Sequence, residues 1–215
     1  MNELFGNVSD FYDMFTTYNQ AVWPMPIVMY VLAIAAFIFS LQKKQASNAV
    51  VLYILSFFWL WNGIVFSLFY FSIFSPMFYL TALLFIFQTV VLFLNGSGLG
   101  VKPQLSFRFQ NNFKTWAGII FIIYALILYP LIGWATGHAY PAGPIFGTAP
   151  CPSAIFTVGI LLLTEKKIPS ILLIIPVIWG FAGFLPVLLY EVYADIGLIV
   201  SGVAALMLMF TSRNI

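Results

Sequence analysis

The sequence predicts an all-α integral membrane protein with seven transmembrane helices, N-terminus outside and C-terminus inside, laid out as a 3+1+3 parallel repeat. Three observations predict it. The first is composition: of 215 residues, 63% are hydrophobic and only 7% are charged, against roughly 25% charged in a soluble domain. The second is where the few charges fall, and the third is a pattern that recurs between the two ends of the chain. So few charges cannot build a water-facing surface, and the mean hydropathy of +1.05 agrees. A soluble enzyme, a nucleic-acid binder and a disordered chain are thereby excluded. A single cysteine leaves no internal disulfide and no multi-cysteine zinc or iron–sulfur motif.

A bilayer-crossing helix needs about 20 mostly apolar residues. Such segments run over residues 22–41, 49–72, 76–94, 115–134, 150–164, 170–190 and 194–210, the fifth being short and the seventh at the lower limit. Residues 1–21 form an outer interfacial segment. There Phe11, Tyr12, Met14 and Phe15 suit a short helix lying on the outer leaflet. The basic flank and cleavage site of a signal peptide are missing, so the first span is expected to stay in the membrane. Residues 22–94 make the first triplet, 95–114 a cytoplasmic loop, 115–134 a linker helix, 135–149 an outer re-entrant loop and 150–210 the second triplet. The Gly-Ser-Gly stretch at 96–98 lacks the phosphate-loop spacing and reads as a linker.

The charges orient this plan. Lys43, Lys44, Lys102, Arg108, Lys114, Lys166, Lys167 and Arg213 fall after spans 1, 3 and 5 and in the C-terminal tail. All four places share one side of a seven-span chain, which the positive-inside rule makes cytoplasmic. Of the acids only Glu165 joins them; Glu3, Asp10, Asp13, Glu191 and Asp195 lie on the other side.

The recurrence sets Pro24-Met25-Pro26 beside Pro150-Cys151-Pro152. It also sets the lysine pair at 43–44 beside that at 166–167, and the Trp59 to Tyr70 stretch beside Trp179 to Tyr190. One intervening span keeps the two triplets parallel, about an axis along the membrane normal. This layout resembles sugar-exporting SWEET transporters and vitamin-precursor transporters of the nicotinamide riboside type, though none of their motifs is present. The resemblance implies a solute site between the triplets.

The run GHAYPAGPIFGTAPCPSAIFT at residues 137–157 combines helix-breaking prolines and glycines with apolar Ile145 and Phe146. Irregular apolar backbone at membrane depth is tolerated where protein or a cavity covers it, and Pro/Gly-interrupted segments point to binding sites. The run resembles an uncharacterised family of bacterial multi-pass membrane proteins of unknown function. That resemblance implies a bacterial cytoplasmic membrane but no reaction.

The candidate ligand-binding residues are His138 and Tyr140 in the roof segment, Cys151 at the start of span 5, and Asn62 and Gln88 as uncharged polar groups within spans. Trp59 and Trp179 join them as aromatic lining, with Glu191 and Asp195 at the outer corner of spans 6 and 7. Each also has a structural reading. His138 suits a hydrogen-bonded helix end, Cys151 a small buried hydrophobe, and Asn62 and Gln88 interhelical glue. The two acids, four apart, suit either a like-charged pair or a solvated corner with Asp195 capping span 7. Cys151 with Met25 across the axis, joined by His138, would suit a soft metal ion. No acid or base lies in the middle of a span, which argues against a strongly ion-coupled pump.

The function expected is binding or facilitated movement of a small neutral or weakly polar solute between the triplets. The alternative is an outer-face site protein, handling soft metal or acting as a membrane enzyme through His138 and Cys151. No catalytic residue is assigned and no cofactor is indicated. The partners are the bilayer and a small solute, not nucleic acid, and homo-oligomerisation stays open.

Overall fold

A capping box opens α1 (Val8–Ala21). The Asn7 side chain accepts from Asp10 N at 2.9 Å while Asp10 Oδ2 accepts from Asn7 N at 3.1 Å, which satisfies amides that a helix start leaves free. The computed structural model describes residues 7–211, so Glu3 and Arg213 lie outside the described residues. At Pro24 the chain turns by 80° into α2 (Met25–Ser40). Then follow α3 (Gln45–Ile73), α4 (Met77–Gly96), α5 (Phe113–Ala135), α6 (Pro150–Leu161), α7 (Ile171–Tyr190, broken at Gly183) and α8 (Ile196–Thr211), the last entered through a 3-10 turn at Tyr193–Asp195. Each expected span is therefore helical.

Their lengths divide them. Among the described residues five helical stretches, Gln45–Ile73, Met77–Gly96, Phe113–Ala135, Ile171–Tyr190 and Tyr193–Phe210, are long and apolar enough to cross a membrane. The bent pair α1–α2 makes up to six. The fifth expected span, α6, has 12 residues and so is about 18 Å long, short of a hydrocarbon core of about 30 Å. Every α6 residue is buried inside the protein. It is the central post of the fold, packed by α5, α7, α8 and α3. Pro150 and Pro152 fix where it starts, because a first-turn proline loses no hydrogen bond.

Pro130 and Pro176 shape the helices around it. Pro130 in α5 lacks the N–H that would bond the Leu126 carbonyl, and the turn before it opens into a π-helix at Tyr124–Leu128. The hydroxyl of Tyr30 on α2 donates to that carbonyl at 3.2 Å. Pro176 in α7 frees the Leu172 carbonyl in the same way, and Gln88 Nε2 on α4 donates to it at 3.0 Å. A second π-helical stretch, Asn62–Tyr70 in α3, begins where the Ser67 hydroxyl bonds the Asn62 carbonyl five residues back, at 2.7 Å.

Glycines bring backbones together at two crossings. A Cβ on Gly118 (α5) would meet the Gly159 carbonyl (α6) at 2.6 Å, and one on Gly180 (α7) would meet Gly202 Cα (α8) at 2.5 Å. Small residues at such crossings let apolar helices approach without a hydrophobic drive between them.

The loops sort by charge. Asn48 Oδ1 accepts from Phe107 N, Arg108 N donates to Leu163 O, Glu165 N donates to Ser106 O, and Lys114 Nζ donates to Thr164 O at 2.7 Å. The loops bearing Lys43, Lys44, Lys102, Arg108, Lys166 and Lys167 thus interlock at one end of the bundle, with Glu165 beside Arg108 at 3.9 Å. At the other end α1 packs over the helix ends, burying Tyr12, Phe15, Tyr18 and Asn19. It is more deeply docked than a helix resting on a lipid surface.

Candidate functional site

α1 holds the roof segment in place. Tyr18 Oη donates to Thr148 O at 2.7 Å and accepts from Trp61 Nε1 at 2.9 Å. Asn19 Nδ2 donates to the carbonyls of Pro141 and Gly143. Beneath this arrangement residues 146–153 are buried without interruption. The end of the roof segment is therefore enclosed by protein before α6 begins.

Two cavities open at this end. The first, about 120 Å³, lies between α1, α3, α4 and α7 and is walled by Phe15, Phe66, Phe71, Phe78 and Leu189. Ser75 and Thr81 also line it, but their hydroxyls are bonded to their own backbone at Met77. Cys151, Trp179 and Asp195 are also among the lining residues. Asp195 is fully buried, and its Oδ1 accepts from Tyr129 Oη at 2.6 Å. The thiol lies close enough to interact with both Asp195 and Trp179. Even so, neither Asp195 Oδ2 nor Trp179 Nε1 has a hydrogen bond of good geometry. The thiol can donate to Asp195 and accept from Trp179, so it is the group that stands between these two atoms.

The second cavity, about 140 Å³, is lined by Tyr12, Tyr129, Trp134, His138, Tyr140 and Tyr193 among others. The His138 ring stacks on Tyr12 with centroids 3.5 Å apart, and its buried Nδ1 has no hydrogen-bond partner. Tyr140 is exposed, its hydroxyl reaching Asn19 O at 3.4 Å. Tyr129 lines this cavity while the carboxyl it bonds lines the first, so their hydrogen bond is the partition between the two.

The structure therefore brings Cys151, Trp179 and Asp195 together and sets His138 and Tyr140 apart from them. Asn62 is buried, its Nδ2 bonding Phe58 O, Gly147 O and Ser153 Oγ, and Gln88 is buried against α7. Both act as ties between segments. Trp59 donates to Thr157 Oγ1 at 3.0 Å, and its ring meets Phe85, which also meets Trp179. The corner at 191–195 is not one helical face. Glu191 ends α7 in the left-handed region (φ 57°) and is exposed, whereas Asp195 is buried, so the expected like-charged or solvated pair does not form. Met25 packs on the central core and lines neither cavity. Among the described residues no three His, Cys, Asp or Glu side chains gather to hold a metal ion. Tyr129 was not singled out by sequence. Its signal is a phenol directly before a mid-helix proline, in a helix that also carries Tyr124.

These features define an all-helical protein with membrane-length apolar helices and a mostly apolar cavity at the acidic end. The chain belongs to the DUF6064 family, a family of unknown function, whose profile matches residues 8–215. No curated protein and no solved structure matches it.

Proposed function

We propose that this chain is a multi-pass protein of a bacterial cytoplasmic membrane that binds, and facilitates movement of, a small weakly polar solute through the first cavity. One observation carries the reading. An apolar cavity sits between α3–α4 of one triplet and α7 of the other, with Cys151, Trp179 and the buried Asp195 among its lining residues. Pockets of this make-up, mostly apolar with few convergent polar groups, are where small ligands bind.

The interlocked basic loops support a cytoplasmic assignment for that end by the positive-inside rule, which places α1 and both cavities outside. In this arrangement α6 together with the dipping roof completes the seventh crossing, and the 3+1+3 layout follows. The two tryptophans that the repeat pairs, Trp59 and Trp179, meet the same Phe85 ring from either triplet. Rocking of the triplets about that contact is the motion that opens the cavity. The test is solute flux into liposomes bearing the protein, with Ala182→Phe, a substitution that fills the cavity lining, as the blocked control. Flux lost in Ala182→Phe supports the reading. Absence of both flux and ligand-induced stabilisation across a broad panel overturns it.

A further inference from the structure

We infer that the first cavity is filled sideways, from the bilayer. Its ligand is a single-chain amphiphile whose unbranched alkyl tail lies inside and whose polar head stays at the mouth. This rests on the cavity being a ligand site, as proposed above. The inner half of α7, Ile171–Ala182, packs on α4, whereas the outer half, Phe184–Tyr190, packs on α1, α8 and the turn at 193–195. The mouth lies where α7 leaves α4. Met77 of α4 and Leu185 and Leu189 of α7 line the cavity and are nevertheless 39–45% exposed, so the space opens between them. Flanking Ile73, Phe184 and Leu188 are exposed and apolar as well. Apolar side chains exposed on membrane-length helices face hydrocarbon, so the mouth gives onto lipid rather than water.

The walls decide what can enter. Phe15, Phe66, Phe71 and Phe78 offer no hydrogen bond, and the hydroxyls of Ser75 and Thr81 are bonded to the backbone at Met77. At the deep end the Cys151 thiol stands between Trp179 and Asp195 as donor and acceptor. A polar group brought inside would lose its water and gain no partner. The part of the ligand that enters is therefore hydrocarbon, and a weakly polar solute must leave its polar group at the rim. Shape decides the rest. The lining follows α7 from Trp179 to Leu189, ten residues or about 15 Å of helix, while the volume is only about 120 Å³. So small a space strung along that length suits a chain lying beside α7 better than a compact ring. Its outer end, at Met77 and Leu189, falls at the first residue of α4 and the last turn of α7, where headgroups begin.

The experiment uses the full chain in nanodiscs and reads tryptophan fluorescence, which bromine quenches on contact. The signal of Trp179 is the difference between the wild type and Trp179→Phe. One probe is 8-bromooctan-1-ol, a free amphiphile with bromine at its tail. The other is phosphatidylcholine brominated along its chains, which tests the bilayer lipid as the source of the chain. Saturable quenching of Trp179 by the bromooctanol is expected, lost in Ala182→Phe, which fills the slot. Octan-1-ol should displace the bromooctanol at least about tenfold more effectively than octane-1,8-diol, which carries a second hydroxyl into the dry end. It should also outdo cyclooctanol, which has the same carbons in a ring. These ratios are read in the wild-type chain and depend on no variant's fold. Equal displacement by cyclooctanol overturns the chain, and equal displacement by the diol overturns entry by hydrocarbon alone; either leaves the cavity as a ligand site. Quenching by the brominated lipid that octan-1-ol cannot relieve overturns the free amphiphile in favour of a resident bilayer lipid. No saturable quenching of Trp179 by either probe overturns the inference, and solute flux blocked by Ala182→Phe then decides the site reading separately.

Discussion

The two halves of this bundle meet in two contrasting ways. Around α6 the junction is closed. Gly118 backs onto Gly159, Trp59 bonds Thr157, and Asn62 bonds Gly147 and Ser153. A few residues away, between α3–α4 and α7, the same halves part around a cavity where Trp179 and Asp195 each keep an unmet polar atom. Most polar groups of the closed junction are satisfied, and even the carbonyls freed by Pro130 and Pro176 find side-chain donors on other helices. Buried atoms without a hydrogen bond occur on the closed side as well, at Asn62 Oδ1 and Gln88 Oε1, so what sets the other side apart is its open apolar volume. The contrast is what locates the site.

The largest expected effect comes from breaking the closed side. A Cβ at Gly159 would sit 2.9 Å from both the Gly118 carbonyl and Ile122 Cγ1, and neither backbone can move without shifting the central post. Gly159→Leu should destabilise the protein by about 3 kcal/mol, at the upper end for overpacking. Size-exclusion profile and thermal melting of the purified protein measure it. A well-folded Gly159→Leu would mean that α6 is not the tight centre of the bundle.

A smaller effect is expected at the partition between the cavities. Tyr129→Phe removes the one hydrogen bond that reaches the Asp195 carboxyl with good geometry. The loss should be about 1–2 kcal/mol, within the range for a buried polar atom left unmet. Replacing both partners, as Tyr129→Phe with Asp195→Leu, should recover most of it, because an apolar pair leaves nothing unsatisfied. A double variant no better than the single would show that the bond is not the source of the loss.

The helices were legible because long apolar runs bounded by Pro, Gly and charge have few other readings, and the seven expected segments are seven helices among the described residues. Which faces are buried was not legible. In an apolar chain lipid-facing and protein-facing residues look alike, so nothing in the α6 run told that all of its residues are enclosed. Asp195 illustrates the limit. Four residues after Glu191 it reads as a solvated corner, yet its partner Tyr129 lies 66 residues away and only tertiary packing joins them. The π-helical turns had no spacing signal. Cys151 and Trp179 were legible as candidates, but their convergence with Asp195 on one cavity was not.

The finest test sets two tryptophans side by side, since the recurrence in sequence makes them counterparts and the structure gives them opposite duties. Trp59 Nε1 donates to Thr157 Oγ1 at 3.0 Å in the closed junction, while Trp179, a residue of the cavity lining, has no hydrogen bond of good geometry at its Nε1. Both rings meet Phe85 edge-on, with centroids 5.0 and 4.8 Å away, so phenylalanine at either position keeps part of that contact. What differs is the N–H. Trp59→Phe loses a made hydrogen bond and should cost about 0.6–1.7 kcal/mol, the span seen for side-chain bonds between membrane helices. Trp179→Phe removes an unmet donor along with its desolvation cost, so its stability should change by no more than about 0.5 kcal/mol. Thermal melts of the two variants measure the gap. Equal losses at the two positions would show that both tryptophans serve packing alone, and the line between closed junction and open site would fall.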